Sequence, residues 1–360
     1  MYDLAHTLTT HFRKLLQDIQ PPEDRLELAK TLPGQVREFL RLHEEFITKY
    51  PNTRLAGSYA QFLTVGDVKD VDFLVRVDGD PETDEPTARA VLSDLAHALR
   101  DLPEHLGYVG DSHFDFKRNR RSVQVKFEYE DFYMDVVPCI APYGFDEPIY
   151  VPDWGYQSWI ESHPRGVVQL IEDLEKEYSG KFRSLAKLFK QFRNTNMVYM
   201  QPKSYWLVSL TIEAVRSGEI DATLTLAEAF DQLLNWVYDT FAADLNRADA
   251  VPAIADPILG HNVAHNWERH DFVAFIGRIE DAQKWTGKAL AHDDRAEAIK
   301  LWQKVFGPAF PTDVDDYAES LADANRPGVP HITPAGLLVP ASTTQRSIPV
   351  PQTKFYGEKK

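Results

Sequence analysis

Cysteine is all but missing from this chain. Cys139 is the only one in 360 residues, which excludes an internal disulfide and any cysteine-rich zinc site and fits a reducing compartment. Long apolar runs are missing too: no stretch approaches the roughly 18 consecutive apolar residues that span a bilayer. The opening MYDLAHTLTTHFRKLL has neither the apolar centre nor the cleavage site of a signal peptide. The expectation is a soluble, cytoplasmic protein with no membrane association. Positive charge is scarce, with 39 Lys and Arg against 55 Asp and Glu and a net charge of −16. Proteins that grip duplex nucleic acid draw much of their affinity from neutralised phosphates, so no long nucleic-acid ligand is expected. The basic residues that exist gather in KRNRR at 117–121 and KFRSLAKLFKQFR at 181–193, a scale suited to small phosphorylated ligands.

The remaining composition, 43% hydrophobic and 26% charged, is that of a globular protein with a substantial core. In QVREFLRLHEEFITK, residues 35–49, Val36, Phe39, Leu40, His43 and Ile47 fall on one helical stripe. The preceding PPED has the proline and acidic residues of a helix start. Strand alternation marks residues 71–77, 122–128 and 131–140, with a helical stretch, PTARAVLSDLAHALRDL, between the first two. After Pro138 a Pro- and aromatic-rich connection leads to helical periodicity that lasts to about residue 306. These features predict a mixed α/β (α+β) fold in three parts: 1–165, an α/β core with N-terminal helices; 166–323, a helical domain; and 324–360, a Pro-, Ser- and Thr-rich tail that is extended or partly disordered.

The chemistry is concentrated in LAGSYAQFLTVGDVKDVDFLVRV, residues 55–77. Side chains two apart on a strand point to one side, so Asp70 and Asp72 form a carboxylate pair. Two like charges held together call for a cation, and magnesium takes hard oxygen ligands while keeping places for waters and phosphates. Taken alone, DVD is also a solvated strand start. Twelve residues before Asp70, Gly57 and Ser58 form a turn whose backbone N–H groups and hydroxyl can hold a phosphate oxygen. A third carboxylate, Asp135, lies inside the apolar run FYMDVVP, where a charge is out of place without a partner. A hairpin could bring it beside the strand of Asp70 and Asp72, completing a set that can bridge two metal ions.

GSYAQFLTVGDVKDVDFLV followed by YMDVVPCI resembles the nucleotidyltransferase signature. More narrowly it resembles the CD-NTases, bacterial relatives of cyclic GMP–AMP synthase and oligoadenylate synthase. The similarity continues in PPEDRLELAKTLPGQVREFL, YVPDWG…SWIESHP, LAKLFKQFR, PKSYWLVSL, DPILGHNVAHNW and AIKLWQKVFGPAFP, and so covers nearly the whole chain. The resemblance implies a polymerase-beta-like nucleotidyltransferase core with a mixed sheet, a helical domain, and an active site in the cleft between them. It implies a metal-dependent cyclic oligonucleotide synthase that joins NTPs, ATP and/or GTP with UTP as a further candidate, into a cyclic di- or trinucleotide. Asp70, Asp72 and Asp135 would bind two Mg²⁺ ions, with Mn²⁺ able to substitute. Gly57, Ser58, Lys190 and Ser204 would hold the donor triphosphate, and Tyr205 would stack on its base. The product would act on a separate effector in antiphage defence, and a regulatory protein partner is a further expectation. The alternatives are transfer of one NMP to a small-molecule, protein or RNA acceptor, and a catalytically silent nucleotide-binding module.

Two departures stand out. The family often has a basic residue and Gly after GSYA, where this chain has Gln61 and Phe62. It often has Glu a few residues after the Ser-Tyr pair, where Val208 falls here. One further pattern leads nowhere: His261 and His265 in HNVAH have the spacing of a zinc protease, but Asn262 replaces the Glu that such a site needs.

Overall fold

A computed structural model describes residues 8–108, 114–197, 202–247 and 251–314, together with short strands at 330–332, 338–340 and 348–349. The chain opens with α1 (Thr9–Asp18), then α2 (Glu23–Leu42), β1 (Thr53–Ala56), the single turn α3 (Gly57–Ala60) and β2 (Asp70–Val77). α4 (Ala88–Ala98) and α5 (Leu102–His105) follow, then β3 (Phe114–Arg118), β4 (Val123–Phe127), β5 (Phe132–Ile140), β6 (Ile149–Asp153) and β7 (Ser158–Ser162). Six longer helices complete this unit: α6 (Pro164–Glu177), α7 (Phe182–Asn196), α8 (Ser204–Arg216), α9 (Leu226–Phe241), α10 (Arg269–Leu290) and α11 (Arg295–Phe306).

β1 to β7 form one mixed sheet in the order β1-β2-β5-β4-β3, with the β6–β7 hairpin attached to the end of β5. β2 and β5 run parallel and every other pair is antiparallel. The odd residues of β2, Val71, Phe73, Val75 and Val77, are buried against α2 and α4, while Asp70 and Asp72 take the opposite face. α2 begins straight after Pro22 with Glu23 and Asp24 in its first turn, where acidic residues meet the positive end of the helix. Its end differs from the sequence expectation. The helix stops at Leu42, His43 turns extended, and Ile47 is exposed rather than part of the stripe. His43 Nδ1 accepts the backbone N–H of Phe46 at 2.9 Å, a local bond that competes with another helical turn. The stretch read as a Pro- and aromatic-rich connection also holds more order than expected, since it folds into the β6–β7 hairpin.

Three hydrophobic clusters lie within residues 8–310: a small one around Leu74, Cys139 and Phe145, and two larger ones. One of the larger two backs the sheet. The other fills the helices from α6 to α11, and α1 belongs to it. Phe12 of α1 packs edge-on against Trp302 at 4.8 Å between ring centroids, and against Phe306 and Phe310. Residues 311–360 form a separate unit. In it β8 (Pro330–Ile332) pairs antiparallel with β9 (Leu338–Pro340) and β10 (Ile348–Pro349), so part of the expected tail is a small sheet. The rest of that segment from 315 onward lies outside the described residues. Among the described residues no helix is long and apolar enough to cross a membrane.

Candidate active site

The parallel pairing of β2 with β5 sets Asp72 opposite Asp135 and Asp70 opposite Tyr133. Paired positions on neighbouring strands share a face, so all three carboxylates rise from one side of the sheet. This is the juxtaposition expected of Asp135, reached through a parallel neighbour while β4 makes the hairpin with β5. Solvent reaches Asp72 from the open face, yet protein packed around its carboxyl strips away most of its hydration. That desolvation, with the charges of Asp135 and Asp70, pushes its pKa up to about 7. Asp70 is also raised, by desolvation first and then by Asp135, with Lys190 acting in the opposite direction.

Gly57 explains how the turn and the aspartates meet. Its φ is +65°, and a Cβ built there would lie 1.8 Å from Asp72 Oδ2. Only a residue without a side chain lets the backbone rest on that carboxylate. Ser58 follows in α3, its hydroxyl half-buried and 3.5 Å from that of Thr64. Phe62 keeps a left-handed backbone with φ 59°. The Arg183 guanidinium lies 5.6 Å from its ring centroid and donates to the Gln61 carbonyl at 3.2 Å. The two unusual residues thus take part in seating α7 on this loop.

Two residues outside the motifs hold Asp135. Its Oδ1 accepts from Ser122 Oγ at 3.0 Å and from Asn119 Nδ2 at 3.2 Å. Both lie in the β3–β4 turn, closed by Asn119 N–H donating to the Ser122 carbonyl at 2.8 Å. Behind it, Arg120 and Arg121 bond the fully buried Asp153 at 2.7 and 3.2 Å, so two arginines of KRNRR already have a carboxylate partner.

Lys190 is turned away from bulk solvent. It is buried, its Nζ donates to the Leu63 carbonyl at 2.6 Å, and its charge acts on Asp70. Burial and the neighbouring Arg193 lower its pKa to about 8. Burial and Arg183 do the same to Lys187, which also comes to about 8. Arg193 Nη1 donates to Ser204 Oγ at 3.0 Å, linking the lysine helix to the first turn of α8. Tyr205 directs its hydroxyl to Asp256, donating to Oδ2 at 2.8 Å.

The donor set suits a hard divalent cation: carboxylates crowd on one face, and lost hydration followed by their mutual repulsion raises the pKa of Asp72. Among the described residues, no three His, Cys, Asp or Glu side chains stand together in ligating geometry as placed. Bringing Asp70, Asp72 and Asp135 onto shared ions therefore takes side-chain rotation.

Residues 7–174 match the Second Messenger Oligonucleotide or Dinucleotide Synthetase domain. A cyclic AMP-AMP-AMP synthase from an Acinetobacter species is 28% identical over 347 residues, 93% of this chain and 95% of that protein. Among solved structures, CdnC of E. coli MS115-1 in complex with HORMA-deltaN superposes with a TM-score of 0.67 at 20% identity, over 86% of this chain and 100% of that one. The CD-NTase CdnG of Bradyrhizobium diazoefficiens, in complex with GTP, gives a TM-score of 0.63 at 15% identity, over 82% of this chain and 94% of that one.

Proposed function

We propose that this chain is a nucleotidyltransferase of the CD-NTase family that it resembles, and that it joins nucleoside triphosphates into a cyclic di- or trinucleotide, releasing pyrophosphate. The observation that carries this reading is the row of Asp72 and Asp135 on paired strands beside Asp70, with Gly57 resting on Asp72. Cyclisation itself is supported by the name of the Acinetobacter relative, and that name also favours ATP as a substrate. Use of GTP or UTP, a separate effector that responds to the product in antiphage defence, and a regulatory protein partner belong to the same proposal.

Asp70, Asp72 and Asp135 would hold two Mg²⁺ ions, which Mn²⁺ can replace; divalent metal use is general in the family. When bound, such ions neutralise the carboxylates, favour an ionised hydroxyl and balance charge on the leaving pyrophosphate. Ser58, Lys190 and Ser204 hold the donor triphosphate. The Lys190 ammonium spends one of its three N–H donors on Leu63 and keeps two for phosphate oxygens. Tyr205 supplies a flat face to the donor base. Asp135, with Oδ1 engaged by Ser122 and Asn119, uses Oδ2 to draw the proton from a ribose hydroxyl of the acceptor. That oxygen attacks the α-phosphorus in line, a new P–O bond forms, and the bond to the β-phosphate breaks. The same transfer within the linear product closes the ring.

The test is incubation of the purified protein with each labelled NTP, singly and in pairs, with Mg²⁺ or Mn²⁺, followed by phosphatase and mass spectrometry. A phosphatase-resistant product, absent with Asp70→Ala/Asp72→Ala, is expected, and its mass gives bases and ring size. A protein that only adds one NMP to an acceptor overturns the reading.

A further inference from the structure

The stretch DPILGHNVAHNW, with its paired histidines, has no role in the chemistry above. In the structure it is a loop tied to itself. The Asn262 side-chain oxygen accepts the N–H groups of Ile254 at 3.1 Å and Ala264 at 2.9 Å. Val263 N–H donates to the Ile254 carbonyl at 2.8 Å, and Asp256 N–H to that of His261 at 2.7 Å. Asn262 thus closes the loop, which accounts for an amide where a zinc protease has a carboxylate.

The loop is docked on α8. Trp206 Nε1 donates to the Val263 carbonyl at 2.9 Å, Arg216 Nη1 to that of Pro257 at 3.0 Å, and the rings of Trp206 and Trp267 lie 5.1 Å apart. The two oxygens of Asp256 divide the work between loop and helix. Oδ1 accepts the N–H groups of Ile258 and Leu259, both at 2.9 Å. Oδ2 accepts the Tyr205 hydroxyl at 2.8 Å, and the nearest imidazole nitrogen, His261 Nε2, is 4.0 Å from it.

We propose that Asp256 is a positioning residue that holds the Tyr205 ring in its base-stacking orientation and occupies the hydroxyl, so that Tyr205 meets the base through its face alone. The proposal rests on the stacking role given to Tyr205 above. A tyrosine anchored at its backbone by α8 and at its tip by a self-tied loop has lost its side-chain freedom before the nucleotide arrives, and preorganisation of this kind raises affinity. A hydroxyl already donating to a carboxylate has no proton left for a ring nitrogen or carbonyl of the base. The contact is then indifferent to which base is present, and base choice falls to other residues.

The test measures KM and kcat with ATP and with GTP, and metal-free binding of non-hydrolysable analogues of both, for Tyr205→Phe, Asp256→Ala, Asp256→Asn, the Tyr205→Phe/Asp256→Ala double variant and Tyr205→Ala. Tyr205→Phe keeps the ring and deletes only the tether, so KM and analogue Kd should rise about fivefold with kcat within about twofold. Asp256→Ala should come close to it, and the double variant should be no worse than Asp256→Ala, because one shared bond is lost once. Asp256→Asn, which can still serve both the loop and the hydroxyl, should restore most of the affinity. The ratio of ATP to GTP affinity should stay constant in Tyr205→Phe, which has no hydroxyl to offer, and shift in Asp256→Ala, where the freed proton can reach the base. Thermal melts separate a loosened loop from a misfolded protein. Wild-type affinity in Tyr205→Phe, or additive losses in the double variant, overturns the positioning role while a weak Tyr205→Ala leaves stacking intact. Undiminished binding by Tyr205→Ala overturns the stacking reading itself, and the proposal with it.

Discussion

Replacing Gly57 by alanine separates two demands that the structure makes of one residue. The first is backbone strain: at φ +65°, an L-residue costs about 1–2 kcal/mol more than glycine. The second is space. The new Cβ would start 1.8 Å from Asp72 Oδ2, so the carboxylate must retreat to the 3.4 Å at which ordinary contact begins. Displacement of a reacting group by about 1 Å can cost about a hundredfold in rate. Gly66 provides the control, with φ +72° and nothing within 4 Å of a methyl placed there. Gly66→Ala should therefore lose about 1–2 kcal/mol of stability in urea titrations while keeping the specific activity of folded protein. Gly57→Ala should show a similar loss of stability and a fall in product formation of about a hundredfold or more. Turnover within about threefold of wild type in Gly57→Ala would refute the argument that Asp72 is held by the glycine's missing side chain.

Removing the Ser122 hydroxyl from Asp135 should lower kcat about tenfold and leave KM within about twofold, since the bond orients a reacting group and touches no ground-state nucleotide; a KM effect alone counts against it. Asp72 titrates at about 7 in the fold against about 3.9 unfolded, so the folded state holds this proton more tightly. In EDTA, the stability of the wild type should therefore fall as pH rises from about 4 to about 7, and Asp72→Asn should remove that part of the slope. Urea titrations at pH 5 and pH 8 check this: a wild-type-to-variant difference that is equal at both values refutes it. Lys190 titrates near 8, so metal-free ATP binding, followed by calorimetry, should weaken between pH 7.5 and 9. Lys190→Gln should flatten that dependence, and a flat wild-type profile would contradict it.

The aspartates were legible in the sequence because strand periodicity is local: alternation places Asp70 and Asp72 on one side, and an unpartnered charge in FYMDVVP marks Asp135. Gly57 was legible as a turn but not as a contact, since its fit to Asp72 arises only when β1 pairs with β2. Asn119 and Ser122 carried no signal, being ordinary turn residues until β4 lies beside β5. The burial of Lys190 was not legible, because helical periodicity reports which residues share a side, not that the loop at Leu63 covers that side. The packing partner of α1 was hidden for a related reason. Its apolar stripe specifies burial, and the choice of partner is made by rings nearly 300 residues away, Trp302 and Phe306.

That long-range closure has a mechanical consequence. With α1 built into the helical lobe, the sheet lobe is an insertion, entered near residues 19–22 and left near 163. The entry is braced as well, by Lys187 donating to Gln20 at 3.0 Å and Gly66 N–H to the Ile19 carbonyl at 2.7 Å. A body pinned at one point can swivel in any direction, whereas one pinned at two can only swing like a door about the line joining them. Here the pinning goes further: Leu63, in the loop before Asp70, is itself packed in the helical lobe and bonded by Lys190, so the lysine is held against the aspartate strand as well as at the two crossings.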